Sequence, residues 1–183
     1  MQIQNIRKIF TLNSTIGELS IDGVPADIFI MEPCDLGLDD SLTLPAIIQA
    51  KADHFTKTKE YVAIPTGKAY RLTMYAPPAS FMARFPLFVN NKITEIPLFT
   101  GIKGYGGVFI HPGIIEIASH QQSEGCQMPA LGVGTAPDTT VQSNEGWMSF
   151  MEKCGAAIKS GTATYEPVRD ADAWNAFKTT LNQ

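Results

Sequence analysis

Short runs of β-branched and aromatic residues, each closed by glycine, proline or asparagine, recur along most of this 183-residue chain. Apolar and polar positions alternate within several of these runs, which is the pattern of half-buried β-strands. The segments that we predict as strands are residues 6–12, 16–21, 26–31, 68–75 and 108–110. The dipeptide Asp22-Gly23, between the second and third of them, is a strong signal for a tight hairpin turn.

Other apolar segments are less regular. Residues 81–90 are rich in phenylalanine, and we expect them to pack in the core. Residues 93–99 contain a proline, which has no backbone N–H to donate, so an edge strand is predicted there. Residues 131–135 form either a last strand or a loop. The purely apolar strand over residues 108–110 is predicted to lie at the centre of a sheet and to end at His111.

Residues 34–60 interrupt the strand pattern. They contain Gly37, the pair Asp39-Asp40 and a lysine-rich end. A short helix over residues 44–52 is only weakly indicated, because a proline such as Pro45 is tolerated only in the first turn of a helix. We therefore predict one long ordered loop here, and long loops in compact domains often have a functional role.

The pattern becomes helical towards the C-terminus. A helix is predicted to begin at Ser143 or Asn144, since both residue types cap helix N-termini, and its apolar residues recur at helical spacing. Asp170 or Asp172 is predicted to cap a final short helix. The C-terminal part therefore contributes two helices.

The length and composition fit one globular unit. Hydrophobic residues make up 44% of the chain and charged residues 17%, which excludes an intrinsically disordered protein. We predict a mainly β fold, a single β-barrel or sandwich-like domain over residues 1–136, with a helical extension over residues 137–183 packed on it. The net charge of −4 argues against binding to nucleic acid, because there is no surplus of basic residues.

Two further features bear on location. No apolar stretch approaches the roughly 20 residues that span a bilayer, and the first residues do not resemble a secretory signal, so we expect no membrane insertion. The three cysteines, Cys34, Cys126 and Cys154, are sparse and odd in number, which is typical of reduced thiols rather than of a disulfide framework. We expect synthesis in the cytoplasm; the family resemblances described below imply virion association or delivery to the cell envelope as later destinations.

The residues with the clearest chemical potential are a histidine and a cysteine. His111 ends the predicted central strand, and Cys126 comes later, directly after Gly125. The residues between His111 and Cys126 are enough for the chain to reverse direction and bring the two close together. A nearby imidazole can keep a cysteine nucleophilic, and a glycine without a Cβ lets a substrate carbonyl approach. The backbone N–H groups of Gly125 and Cys126 would then form an oxyanion hole. The alternative is that Cys126 is a small buried apolar residue and His111 a turn residue.

Further residues around this pair are candidates for substrate contacts: Tyr105, Ser119, His120 and Glu124. Of these, Ser119 or Glu124 would also orient a ring nitrogen of His111. A zinc site formed by His111, His120, Cys126 and a carboxylate such as Glu116 matches no tight ligand spacing, so we predict no metal site. The glycine-rich stretch around Tyr105 lacks the Lys-Ser/Thr pair of a phosphate-binding loop, and we predict no cofactor.

Four segments in order resemble a phage and bacterial domain family of unknown function. They are residues 61–70 with their Ile-Pro-Thr-Gly-Lys-Ala-Tyr sequence, residues 85–87, the Phe-Ile-His-Pro-Gly segment at residues 109–113, and Glu-Gly-Cys at residues 124–126. The earlier Thr-Ile-Gly-Glu-Leu sequence at residues 15–19 and Ile-Asp-Gly at residues 21–23 also fit. The resemblance extends over about residues 6–134.

The same His and Gly-Cys segments resemble, more distantly, the active-site signature of L,D-transpeptidase (YkuD-like) domains. The resemblance implies a β-rich fold in which Cys126 is the nucleophile, His111 is the base and Gly125 supplies oxyanion donors together with Cys126. It also implies acyl transfer on the stem peptides of peptidoglycan, as a transpeptidase or carboxypeptidase. Peptidoglycan peptides would then be the partner.

The chain also departs from these patterns. Glu124 stands where a histidine or similar residue usually precedes the glycine, and a carboxylate beside a thiol raises its pKa. Gln127 follows the cysteine where an apolar residue is usual, and Ile114 stands where the family of unknown function commonly has asparagine. These differences favour an alternative hypothesis: a non-enzymatic phage structural or host-interaction protein that keeps the scaffold and has a protein partner.

Overall fold

Seven strands form one curled, half-barrel sheet in the computed structural model, which describes residues 1–58, 61–113, 125–136 and 138–181. The strands of this sheet are β1 (Gln2–Phe10), β2 (Ser14–Ile21), β3 (Val24–Pro33), β4 (Tyr70–Tyr75), β5 (Ile96–Thr100), β6 (Met128–Ala130) and β9 (Thr164–Arg169). Their order is β5-β4-β9-β1-β2-β3-β6. A small second sheet pairs β7 (Gly132–Val133) with β8 (Thr140–Val141). The mainly β fold is thereby confirmed.

Five helices surround the sheets in the described residues: α1 (Leu44–Thr58), α2 (Ala79–Met82), α3 (Pro86–Asn90), α4 (Ser143–Lys159) and α5 (Ala171–Leu181). The two C-terminal helices are those predicted. Helix α4 begins at Ser143, but its N-cap position is Gln142, which forms no side-chain capping hydrogen bond, so the prediction that Ser143 or Asn144 caps it is wrong. The backbone N–H of Ala173 donates to the Asp170 carboxylate at 3.0 Å, so Asp170 rather than Asp172 caps α5.

The first three strands follow the predicted meander. Asp22 and Gly23 both have positive φ, 49° and 83°, as a two-residue type I′ turn requires. Ile21 and Val24 then pair across the turn. The proline-containing strand β5 lies at one edge of the sheet, as predicted.

Residues 108–110 are buried as predicted, but they do not form a central strand. They make isolated bridges instead, one between Phe109 and Leu98 of β5 and one between Ile110 and Gln127, directly before β6. Since β5 and β6 are the two edges of the main sheet, this segment links the edges across the open side of the half-barrel.

Of two other predicted segments, one is corrected and one is confirmed. The predicted long loop over residues 34–60 contains α1, which is longer than the weak helix over residues 44–52; three alanines, Gln49 and Lys51 follow Pro45 closely and are good helix formers. Residues 81–90 do pack in the core, but mainly through the short helices α2 and α3, which bury Met82 and Phe88.

The C-terminal part also contributes to the sheet. Strand β9, in the segment between the two helices, runs parallel to β1 and antiparallel to β4. Residues 138–181 therefore supply a central strand of the main sheet as well as two helices. Among the described residues, no helix is both long and apolar enough to cross a bilayer.

Candidate functional site

The two segments that contain the predicted catalytic residues lie side by side. The backbone N–H of Gln127 donates to the carbonyl of Phe109 at 2.9 Å, and the N–H of His111 donates to the carbonyl of Gln127 at 3.1 Å. This parallel pairing joins the end of the 108–111 segment to the Gly125-Cys126 turn. The turn and the histidine are therefore neighbours in the fold although they are distant along the chain.

Cys126 is part of the main hydrophobic core and only 3% exposed. Its Sγ accepts a hydrogen bond from the backbone N–H of Phe109 at 3.3 Å and lies 3.9 Å from the carbonyl oxygen of Gly107. The sulfur is therefore directed towards residues 107–109, which precede His111 in the same segment.

His111 lies among aromatic rings and is 7% exposed. Its ring centroid is 4.9 Å from that of Phe85 and 5.9 Å from that of Phe81. Its Nδ1 is 2.8 Å from the carbonyl oxygen of Pro112. Because a carbonyl only accepts hydrogen bonds, this contact assigns the proton to Nδ1 and leaves Nε2 as the basic nitrogen.

Burial lowers the pKa of His111 to about 4, and the positive charge of Arg84 acts in the same direction, whereas the Pro112 carbonyl opposes it. The imidazole is therefore neutral at pH 7. A neutral imidazole can accept a proton, but it does not supply the positive charge that would hold a neighbouring thiol as thiolate.

Tyr105 and Gly125, both predicted site residues, are in contact. Gly125 has a φ of 84°, and a Cβ built on it would lie 3.1 Å from the Tyr105 ring and 2.9 Å from Ile64. The Tyr105 hydroxyl donates to the carbonyl of Ala63 at 2.7 Å, and the Lys51 ammonium lies 3.7 Å from the centre of its ring. Only glycine fits position 125 without strain.

The remaining predicted site residues, Ser119, His120 and Glu124, lie outside the described residues, as does Glu116 of the zinc alternative. Within the described residues, no group of three or more histidine, cysteine or acidic side chains is arranged to hold a metal ion.

Sequence reasoning missed the most polar feature near this site. The side chain of Gln127, the residue after Cys126, donates to the Gly125 carbonyl at 3.1 Å and to the Glu32 carboxylate at 2.8 Å. Glu32 in turn belongs to a buried ion-pair network with Arg7. Its members are far apart in sequence, so no local spacing indicated it.

Comparison of the chain with protein-family models, with curated proteins and with solved structures found no match. The two family resemblances therefore stay predictions.

Proposed function

We propose that this protein catalyses cysteine-dependent acyl transfer, with Cys126 as nucleophile and His111 as base. The observation that supports this most directly is the backbone pairing of the His111 and Gly125-Cys126 segments, with the His111 N–H 3.1 Å from the Gln127 carbonyl. Covalent catalysis requires the nucleophile and its base within hydrogen-bond reach, and adjacent, hydrogen-bonded segments are a scaffold on which Cys126 and His111 can reach that distance. The resemblance to L,D-transpeptidases suggests stem peptides of peptidoglycan as substrates.

The reaction would proceed in two balanced steps. The Cys126 sulfur forms a bond to a peptide carbonyl carbon while its proton passes through Nε2 of His111 to the leaving amine, and the C–N bond breaks to leave a thioester. An acceptor amine or water then attacks the thioester, and the sulfur leaves and recovers a proton. In the free protein the sulfur faces Phe109, so bound substrate must turn it towards the imidazole; catalytic contacts often tighten only on substrate binding.

Incubation with purified muropeptides, followed by mass spectrometry, tests the proposal. We expect cross-linked or trimmed peptides from the unaltered protein and none from Cys126→Ala. The matched control is Cys154→Ala, which removes another buried thiol, in α4, and should retain activity. Unchanged muropeptides, together with a Cys126 that iodoacetamide does not modify near neutral pH, would exclude acyl transfer.

A second candidate, a non-enzymatic phage structural or host-interaction protein, is favoured by a different observation. The Cys126 sulfur belongs to the main core and accepts a hydrogen bond from the protein's own backbone, as a packing residue would. On this hypothesis Cys126→Ala loses only stability, to the same degree as Cys154→Ala, and the unaltered protein leaves muropeptides intact. The same pair of variants therefore separates the two candidates.

A further inference from the structure

The least expected feature of the interior is a network of four charged side chains. Arg7 donates two hydrogen bonds to the Glu32 carboxylate, at 2.7 and 2.6 Å, and one to Asp35 at 2.7 Å. Arg169 donates two bonds to Asp35, both at 2.8 Å. Two guanidinium groups thus compensate two carboxylates inside the fold. Buried ion pairs seldom make a protein more stable than apolar residues of the same volume would. We therefore ask which neighbouring groups this network holds in position.

Gln127 connects this network to the candidate site. Its Nε2 donates to Glu32 and to the carbonyl of Gly125, and its Oε1 accepts from the Tyr165 hydroxyl at 2.7 Å and from Asn5 at 3.4 Å. Both donors and both acceptor positions of the amide are therefore in use. Since the two partners of Nε2 can only accept, the orientation of the amide is fixed as well.

We propose that Gln127 is a positioning residue, which holds the Gly125 carbonyl and thereby fixes the Gly125-Cys126 turn relative to the buried network. The main chain of Gln127 also bonds Phe109 and His111. One residue thus ties the Gly125-Cys126 turn and the segment of the histidine to the buried ion-pair network. The catalytic consequence depends on the proposed acyl transfer, whereas the effect on the turn does not.

The test compares Gln127→Met, which keeps the length but forms no such hydrogen bonds, with Tyr165→Phe. The second variant removes a partner of the same amide but leaves its bond to Gly125 intact. Alkylation by iodoacetamide is followed separately at each cysteine by mass spectrometry. Cys34 and Cys154 are both buried, so they report global unfolding within the same sample.

We expect Gln127→Met to accelerate alkylation of Cys126 at least tenfold with little change at Cys34 and Cys154, and Tyr165→Phe to change Cys126 less than threefold. A smaller acceleration, or one shared by all three cysteines or by both variants, overturns the proposal. If Gln127→Met does not fold, Gln127→Asn, one methylene shorter, withdraws the amide from Gly125 and is judged by the same criterion.

Muropeptide turnover separates this inference from the proposed function. A positioning role predicts a fall in kcat of at least tenfold in Gln127→Met at unchanged KM, because Gln127 is fully buried and out of reach of a substrate that binds at the surface. Turnover that is unaltered by the substitution overturns the positioning role and leaves acyl transfer standing. Absence of turnover in the unaltered protein refutes acyl transfer, and the alkylation rates still decide whether Gln127 fixes the turn.

Discussion

At the scale of single residues, burial determines the protonation state of His111, because an imidazolium ion would lose its hydration among Phe81, Phe85 and the surrounding core. The sequence could predict a histidine at the end of an apolar strand, and His111 does end that segment. It could not predict the aromatic rings around it, because these belong to residues 79–90, which are distant from His111 along the chain and approach it only in the folded protein.

A pH dependence of stability follows from this burial. The pKa of His111 is about 4 in the folded protein against an ordinary 6.5, so between these values the unfolded chain binds more protons. Stability is therefore lost as the pH falls from about 6.5 to about 4, by up to about 3 kcal/mol from this residue. We expect His111→Asn, which cannot titrate, to flatten the pH dependence of urea unfolding across this interval. Equal slopes for the two proteins would contradict the burial argument.

At the scale of elements, helix α4 approaches strand β6 at a point where no side chain fits between them. A Cβ at Gly146 would lie 2.4 Å from Cα of Ala130 and 2.5 Å from its backbone nitrogen. Both neighbours are backbone atoms, which cannot move aside independently. The close approach sets the position of the helix over the sheet, and the apolar face with Trp147 and Phe150 is buried as a result.

Alanine substitutions within α4 test this contact. Alanine favours a helix over glycine by about 1 kcal/mol, yet we expect Gly146→Ala to destabilise the protein by about 2–4 kcal/mol because the helix must shift. Gly155→Ala is the matched control: its Cβ would meet only the flexible end of Met151, at 3.2 Å. We expect that variant to be neutral or slightly stabilised in thermal unfolding. Similar melting temperatures for both variants would refute the close contact.

The success of sequence-based prediction also varies among elements. The hairpin at Asp22-Gly23 was predictable, because its turn depends on local backbone preference alone. Helix α1 was underestimated, because Pro45 argued for a short helix; the proline lies in the first turn of α1, where it is tolerated, and the helix continues to Thr58. The role of residues 108–111 depends on where both edges of the curled sheet end, and no local pattern contains that information.

At the scale of the whole molecule, the buried ion network joins parts of the chain that are distant in sequence. Arg7 lies on β1, Glu32 on β3, Asp35 in the loop that follows β3, and Arg169 ends β9. Burial would raise the pKa of Asp35, but the charges of Arg7 and Arg169 outweigh it and keep the pKa below its ordinary value. The carboxylate therefore stays ionised and ties the central strand β9 to the N-terminal meander.

Two neighbouring cations on β1 allow a sharp test of this network. Arg7 is fully buried in it, whereas Lys8 forms a surface pair with Glu18 in which the two side chains are 42% and 51% exposed. Removing one partner of a buried pair leaves an uncompensated charge, so we expect Arg7→Met to lower the free energy of unfolding by about 3–5 kcal/mol. Lys8→Met should change it by less than about 1 kcal/mol, since water already screens that pair.

Denaturant unfolding at neutral pH measures both free energies of unfolding, and comparable losses in the two variants would mean that the buried charges contribute no more than the exposed ones. Glu32, which Arg7 holds, also accepts a hydrogen bond from the Gln127 amide that donates to the Gly125 carbonyl, so this pair of variants also tests the part of the network that reaches the candidate site.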